Sequence, residues 1–183
     1  YVHVSMLVMI WLAGVGIADD WLKLTVSSRN SGDRDGLKKW EKLLFQFGIG
    51  FLAAYYIWGL AGGNEAAHAL VLPFQRTYEP HAETLVLENG VIILGFWAFL
   101  VMVAVMIAGT SNAVNITDGM DGLASGTVVI ASLGVMVLAC IAGSAELSQF
   151  FLLPWIAGTS ELMVVAAAMA GACLGFLWFN CAP

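Results

Sequence analysis

Charge is what this sequence has least of. Only 11% of its 183 residues are Asp, Glu, Lys or Arg, against about 25% in an ordinary soluble domain. Too few charged side chains are present to cover a soluble surface of this size, and a disordered chain would need many more. Basic residues are the scarcer sign. Seven Lys and Arg stand against 13 Asp and Glu, a net charge of -6, which argues against nucleic acid as a partner. Cysteine is sparse and odd in number. Cys140, Cys173 and Cys181 have no paired short spacing, so neither a disulfide framework nor a zinc site is expected. Alternation of polar and apolar residues is missing, which excludes a membrane barrel. Residues 1–17 lack the basic start and cleavage site of a signal peptide. The chain opens without Met and stops after an apolar run, so the expected reading is a piece of a longer protein.

Apolar residues fill the space that charge leaves. They make up 60% of the chain, and the mean hydropathy is +0.86. Five runs are candidate membrane spans: 4–18, 43–61, 91–108, 123–141 and 162–179. A helix needs about 20 apolar residues to cross roughly 30 Å of hydrocarbon. Backbone groups cannot go unpaired there, so these runs are read as helices. The expectation is an all-α, polytopic integral membrane helix bundle, one transmembrane domain over 1–183. Gly48, Gly50, Ala53 and Ala54, and again Ala167, Ala168, Gly171 and Gly175, suit close helix packing. A sixth stretch, 150–156, is too short to span and holds Pro154. It is expected as an interfacial or re-entrant loop or a short half-helix, with Phe151 and Trp155 at headgroup level.

The charges orient the bundle. Lys23, Arg29, Arg34, Lys38, Lys39 and Lys42 fall between the first two spans, leaving only Arg76 elsewhere. The excess of basic residues places loop 19–42 in the cytoplasm. Alternation then puts 62–90 outside, 109–122 inside and 142–161 outside. Asp19, Asp20, Asn112, Asn115, Asp118, Asp121 and Asn180, distant in sequence, all reach one membrane face.

That face carries the chemistry. A carboxylate at membrane depth is costly unless paired or bound to a cation. Asp19 and Asp20 point about 100° apart on a helix. Lys23 shares their side, and can pair with them or meet a diphosphate. Two carboxylates beside a phosphate substrate suit Mg²⁺; the plainer reading is an acidic end that stops a helix. In the run 112–122, Asn112 and Asn115 offer donors and acceptors for a base or sugar. Gly119 and Gly122 flank Asp118 and Asp121 and let backbone approach a ligand. The plainer reading there is a polar turn; a calcium loop lacks its spacing and terminal Glu. Lys42 and Gln46 are four apart and can face one site. His3, His68 and His81 are read as structural.

These residues carry a resemblance. Asp19-Asp20-x-x-Lys23 resembles the acidic box of the polyprenyl-phosphate N-acetylhexosamine-1-phosphate transferases. Asn112-Ala113-x-Asn115-x-Thr117-Asp118-Gly119-x-Asp121-Gly122 resembles their second box. Thr117, the stretch 176–183 and Gly36-Leu37 with Lys42 and Gln46 are similar to the bacterial phospho-N-acetylmuramoyl-pentapeptide transferase family (translocase I) in particular.

The resemblance implies a ten-helix enzyme of the bacterial plasma membrane, its active site facing the cytoplasm. It implies transfer of phospho-MurNAc-pentapeptide from its UDP carrier to undecaprenyl phosphate, with Mg²⁺, giving lipid I and UMP. Asp19, Asp20 and Lys23 would be catalytic, with Asp20 holding metal. Lys42, Asn112, Asn115, Asp118, Asp121 and Asn180 would bind substrate, Asp118 and Asp121 nearest the uridine. A homodimer is left open.

Two departures stand out. The loop is longer than the family's usual form near 27–35, and the family's later segments, a further metal-binding Asp among them, are not in the chain. This piece alone is therefore expected to be inactive. A related enzyme loading N-acetylglucosamine phosphate is the nearest alternative. A cation-coupled transporter expects acids at mid-span rather than at one face. A non-catalytic scaffold leaves the Asn-rich run unexplained.

Overall fold

The computed structural model describes residues 1–27, 36–72, 74–80 and 84–180. Arg29, Arg34, His81 and Cys181, and the loop insert at 28–35, lie outside the described residues.

Among the described residues, six α-helices form: α1 (Val2–Ser27), α2 (Lys39–Ala61), α3 (Phe96–Thr117), α4 (Leu123–Gly143), α5 (Ala145–Phe151) and α6 (Leu162–Asn180). All but α5 are long and apolar enough to cross a membrane. Their outer faces carry large bare side chains, with Ile10, Trp97 and Phe179 67%, 77% and 83% exposed. Soluble monomers rarely leave so much apolar surface uncovered, and with five spanning-length helices the chain is a polytopic membrane helix bundle.

Two helices run further than their apolar stretches predict. α1 continues nine residues past Ala18, so Asp19, Asp20 and Lys23 ride on a helix and not in a loop. Acid–lysine pairs three and four residues apart support such an extension, and both form here. α3 continues to Thr117, so Asn112 and Asn115 are helical too. Thr110, Asn112 and Thr117 each bond back to the carbonyl four residues earlier, at 2.7, 2.8 and 2.8 Å. That back-bonding satisfies polar side chains within a helix. The connections at this end are correspondingly shorter than 19–42 and 109–122.

At the other end the expected span at 91–108 begins late. Ile92–Ile93 forms β2, paired antiparallel with β1 (Ala69–Leu70), and α3 starts only at Phe96. A short 3-10 turn, Glu65–His68, precedes β1. The region read as loop 62–90 is therefore a structured cap. It is tied to the second connection by the Thr77 N–H donating to the Leu152 carbonyl (2.8 Å) and Asn64 Nδ2 to the Trp155 carbonyl (2.9 Å). The Trp155 N–H in turn donates to the Tyr78 hydroxyl at 2.9 Å. Trp155 is thus half-buried in this cap, while Phe150 and Phe151 stay exposed. The stretch around them is α5, the half-helix alternative, closed by Leu152 in a left-handed turn at φ 54°.

The spanning helices pack as two close antiparallel pairs, α2 with α3 and α4 with α6, with α1 leaning on α2. Small residues set the first seam. Ala53, Ala54 and Ala104 are completely buried, and a Cβ on Gly50 would lie 2.8 Å from the Ala104 Cα. Backbones can approach this closely only across glycine and alanine. Toward the cap the seam becomes aromatic: Trp58 stacks on His68 at 3.8 Å, and Phe99 meets both edge-on.

Candidate active site

A cleft of about 740 Å³ opens where the two helix pairs part, at the end of the bundle opposite the cap. All nine residues singled out from the sequence line it: Asp19, Asp20, Lys23, Lys42, Asn112, Asn115, Asp118, Asp121 and Asn180. They come from the end of α1, the start of α2, the end of α3, the turn into α4 and the end of α6.

Asp19 is the centre of the cation side. It is only 5% exposed, and its carboxylate is fully engaged. Lys42 Nζ lies 2.6 Å and Lys23 Nζ 2.8 Å from Oδ2. The Leu37 N–H donates to Oδ1 at 2.8 Å. A carboxylate this buried needs such partners. The backbone reaches it because Gly36 turns at φ +79°, and a Cβ there would run into the Asp19 carboxylate. Asp20 is different. Its side chain is 75% exposed, with one oxygen 3.3 Å from Lys23.

The facing wall is polar but largely uncharged. Asn112 donates from Nδ2 to Gln46 Oε1 (2.7 Å) and to the Ala108 carbonyl (2.8 Å). Gln46 Nε2 donates to Ser111 Oγ at 3.1 Å. Asn112 therefore shows the cleft only its carbonyl oxygen. Asp118 caps the end of α3, and Asp121 follows just before Gly122, which turns the chain into α4 at φ 79°.

The charge balance points to a cation. Four carboxylates meet two ammonium groups among these nine residues, so the cleft carries net negative charge. Among the described residues, no three His, Cys, Asp or Glu side chains gather closely enough to form a metal cage. Magnesium seldom needs one. It keeps several waters and binds through one or two carboxylates and substrate phosphates. The exposed oxygens of Asp20 fit that role; Asp19, held by two lysines and an amide, does not.

Residues 2–183 match the family described as Glycosyl transferase family 4. The chain belongs to that family. Among similar proteins, the phospho-N-acetylmuramoyl-pentapeptide-transferase of Neisseria meningitidis serogroup C (strain 053442) is 36% identical over all 183 residues, which is 46% of that relative's length. Its namesake from Neisseria gonorrhoeae (strain ATCC 700825 / FA 1090) matches at 36% with the same coverage. The one from Desulfotalea psychrophila is 34% identical over 97% of this chain and 44% of its own length. The chain spans just under half the length of the curated relatives it matches.

Sequence reasoning missed part of this family 4 cleft. Ser125 and Val128 from α4, and Cys173 and Phe176 from α6, line it as well. The signal was helical spacing. Cys173 and Phe176 lie seven and four residues before Asn180, on its face of the helix.

Proposed function

We propose that the parent protein transfers phospho-MurNAc-pentapeptide from UDP-MurNAc-pentapeptide to undecaprenyl phosphate, forming lipid I and releasing UMP. The observation that carries this reading is the convergence of nine residues from four separate stretches of sequence on one cleft at one end of a membrane bundle. Such a cleft meets a soluble nucleotide at its mouth and a prenyl chain along its helices. The concentration of lysines at this end supports a cytoplasmic orientation in the bacterial plasma membrane. The relatives' names support the specific sugar carrier.

An oxygen of the lipid phosphate attacks the β-phosphorus of the sugar nucleotide. A new phosphorus–oxygen bond forms, the pyrophosphate bond breaks, and the electron pair leaves with UMP. Reaction brings anion to anion, so the residues chiefly position and neutralise. Lys23 and Lys42 supply fixed positive charge, and Asp19 holds both ammonium groups. Asp20 would hold Mg²⁺, which when bound neutralises charge developing on the phosphates. Asn115, Asp118 and Asp121 would orient the uridine and ribose, with Asn112 and Asn180 completing the rim.

Nucleotide binding tests the division of labour. In the full-length parent in nanodiscs, UMP should bind with Asp118→Asn weakening it about tenfold, a loss of about 1.4 kcal/mol. Lys23→Met should weaken UDP more than uridine. Unchanged UMP affinity in well-folded Asp118→Asn would overturn the assignment.

A further inference from the structure

We infer that Gln46 and Asn112 form a positioning pair that sets the register of α2 against α3, and so the spacing between the lysine side and the nucleotide side of the cleft. The functional consequence rests on the transferase reading above.

Gln46 is only 6% exposed. A buried primary amide is unfavourable unless its groups are bonded. Gln46 meets the need through Asn112 and Ser111. Two apolar side chains would fill the same seam without that demand. Interhelical hydrogen bonds in membranes contribute only about 0.6–2 kcal/mol, so stability alone does not ask for this arrangement. Fixed geometry does. Buried polar pairs that tolerate one register only are a known way to align helices.

The position of the pair gives it leverage. On α2, Lys42, Gln46 and Gly50 follow at four-residue steps along one face. On antiparallel α3, Asn115, Asn112 and Ala104 run the other way. Gly50 meets the Ala104 backbone one turn from Gln46 on α2 and about two turns from Asn112 on α3. The pair itself lines the cleft, and Lys42 and Asn115 line it about one turn further along their helices. A slip of one residue would slide α3 by about 1.5 Å and rotate its side chains by about 100°. Small-residue contacts alone resist such sliding weakly, whereas the Gln46–Asn112–Ser111 bonds break at once. Asn115 and Asp118 would then lose their placement relative to Lys42.

The test uses the full-length parent in nanodiscs. Q46L and N112L should each lower kcat by about 10²-fold, the loss expected of a displacement near 1 Å. In Q46L, which leaves the substrate rim intact, the KM values should shift little, and Tm should fall by no more than a few degrees. Q46L/N112L should lose no more than either single change, and the swapped pair Q46N/N112Q should recover at least tenfold over Q46L. An independent readout needs no catalysis. Spin labels at W40C/I116C in a cysteine-free background should give one narrow distance distribution, broadened or shifted by about 1.5 Å in Q46L. An unchanged distribution together with wild-type kcat in Q46L overturns the inference. So does a kcat loss that follows a fall in Tm and is not recovered by the swap. If no variant, nor the parent, released UMP, the transferase reading would fail while the spin-label distances still decided the register.

Discussion

Lys42 Nζ sits 2.6 Å from Asp19 Oδ2, joining two helices across 23 positions of sequence. Lys23 reaches the same oxygen from one helical turn away. One buried carboxylate thus holds two cations at the mouth of a membrane cleft. This arrangement makes Asp19 the organiser of the cation side and leaves Asp20 the more open of the two acids.

Removing either end of that contact should hurt catalysis in the parent protein. Lys42→Met is expected to lower kcat by about 10²-fold, the usual loss for one preorganised charge-stabilising group. Asp19→Asn should cost at least as much, because it frees both lysines. Steady-state UMP release, with expression and Tm as controls, checks both. Near-normal kcat in Asp19→Asn would show that the two lysines hold their places unaided.

Gly36 should tolerate no side chain. Its φ is +79°, and a Cβ would also lie 3.1 Å from both the Asp19 carbonyl oxygen and the Lys23 Cε. Gly36→Ala is expected to lower stability by about 1–2 kcal/mol and to loosen the loop from Asp19. Denaturant titration of the detergent-solubilised parent would measure the first effect, and kcat the second.

The α2–α3 seam should be as strict. Gly50→Val drives branched carbons into the Ala104 backbone, for which overpacking of about 1–3 kcal/mol is expected. The thermal midpoint should fall accordingly. Gly48→Val, where a Cβ meets no neighbour within 4 Å, should change it little.

At the opposite end His68 gives a pH dependence. Burial against Trp58 and Phe99 holds its imidazole below the ordinary range, against a weaker opposing effect of its bond to the Trp58 carbonyl. The unfolded chain takes up a proton near pH 6.5, and the folded one only at lower pH. Stability should therefore decline as pH falls below about 6.5 and level off once the folded imidazole also titrates, with a slope of at most about 1.4 kcal/mol per pH unit. His68→Phe should flatten this segment of the curve. A slope unchanged by the substitution would assign the effect to other groups.

The bundle was legible because its signals are large. Five apolar runs announce five helices, and the clustering of lysines orders their ends. The site residues were legible for a related reason. Asp19, Asn112 and Asn180 are polar groups at the ends of apolar runs, and alternation of spans brings those ends together. Element boundaries were harder. Nothing in the run 112–117 says whether its Asn and Thr side chains will turn the chain or bond back to a helix carbonyl; here Asn112 and Thr117 bond back, and α3 lengthens. Ile92 and Ile93 look like the start of a span because hydropathy does not distinguish a two-residue ladder from a helix turn. The hold of Lys42 on Asp19 was not readable, since it depends on where α2 starts relative to α1. Ser125 was passed over because a small residue on an apolar helix carries no signal until the neighbouring helix is placed.

A transfer assay addresses the proposed reaction itself. The full-length parent in nanodiscs receives UDP-MurNAc-pentapeptide and undecaprenyl phosphate, with Mg²⁺ or with chelator, and UMP and lipid I are followed together. UMP and lipid I should appear in equal amounts only with Mg²⁺, and Asp19→Asn and Asp118→Asn should both suppress them in folded protein. Absence of UMP from well-folded parent, with this sugar nucleotide and with UDP-N-acetylglucosamine alike, would contradict the transferase reading and bring a cation-coupled transporter forward.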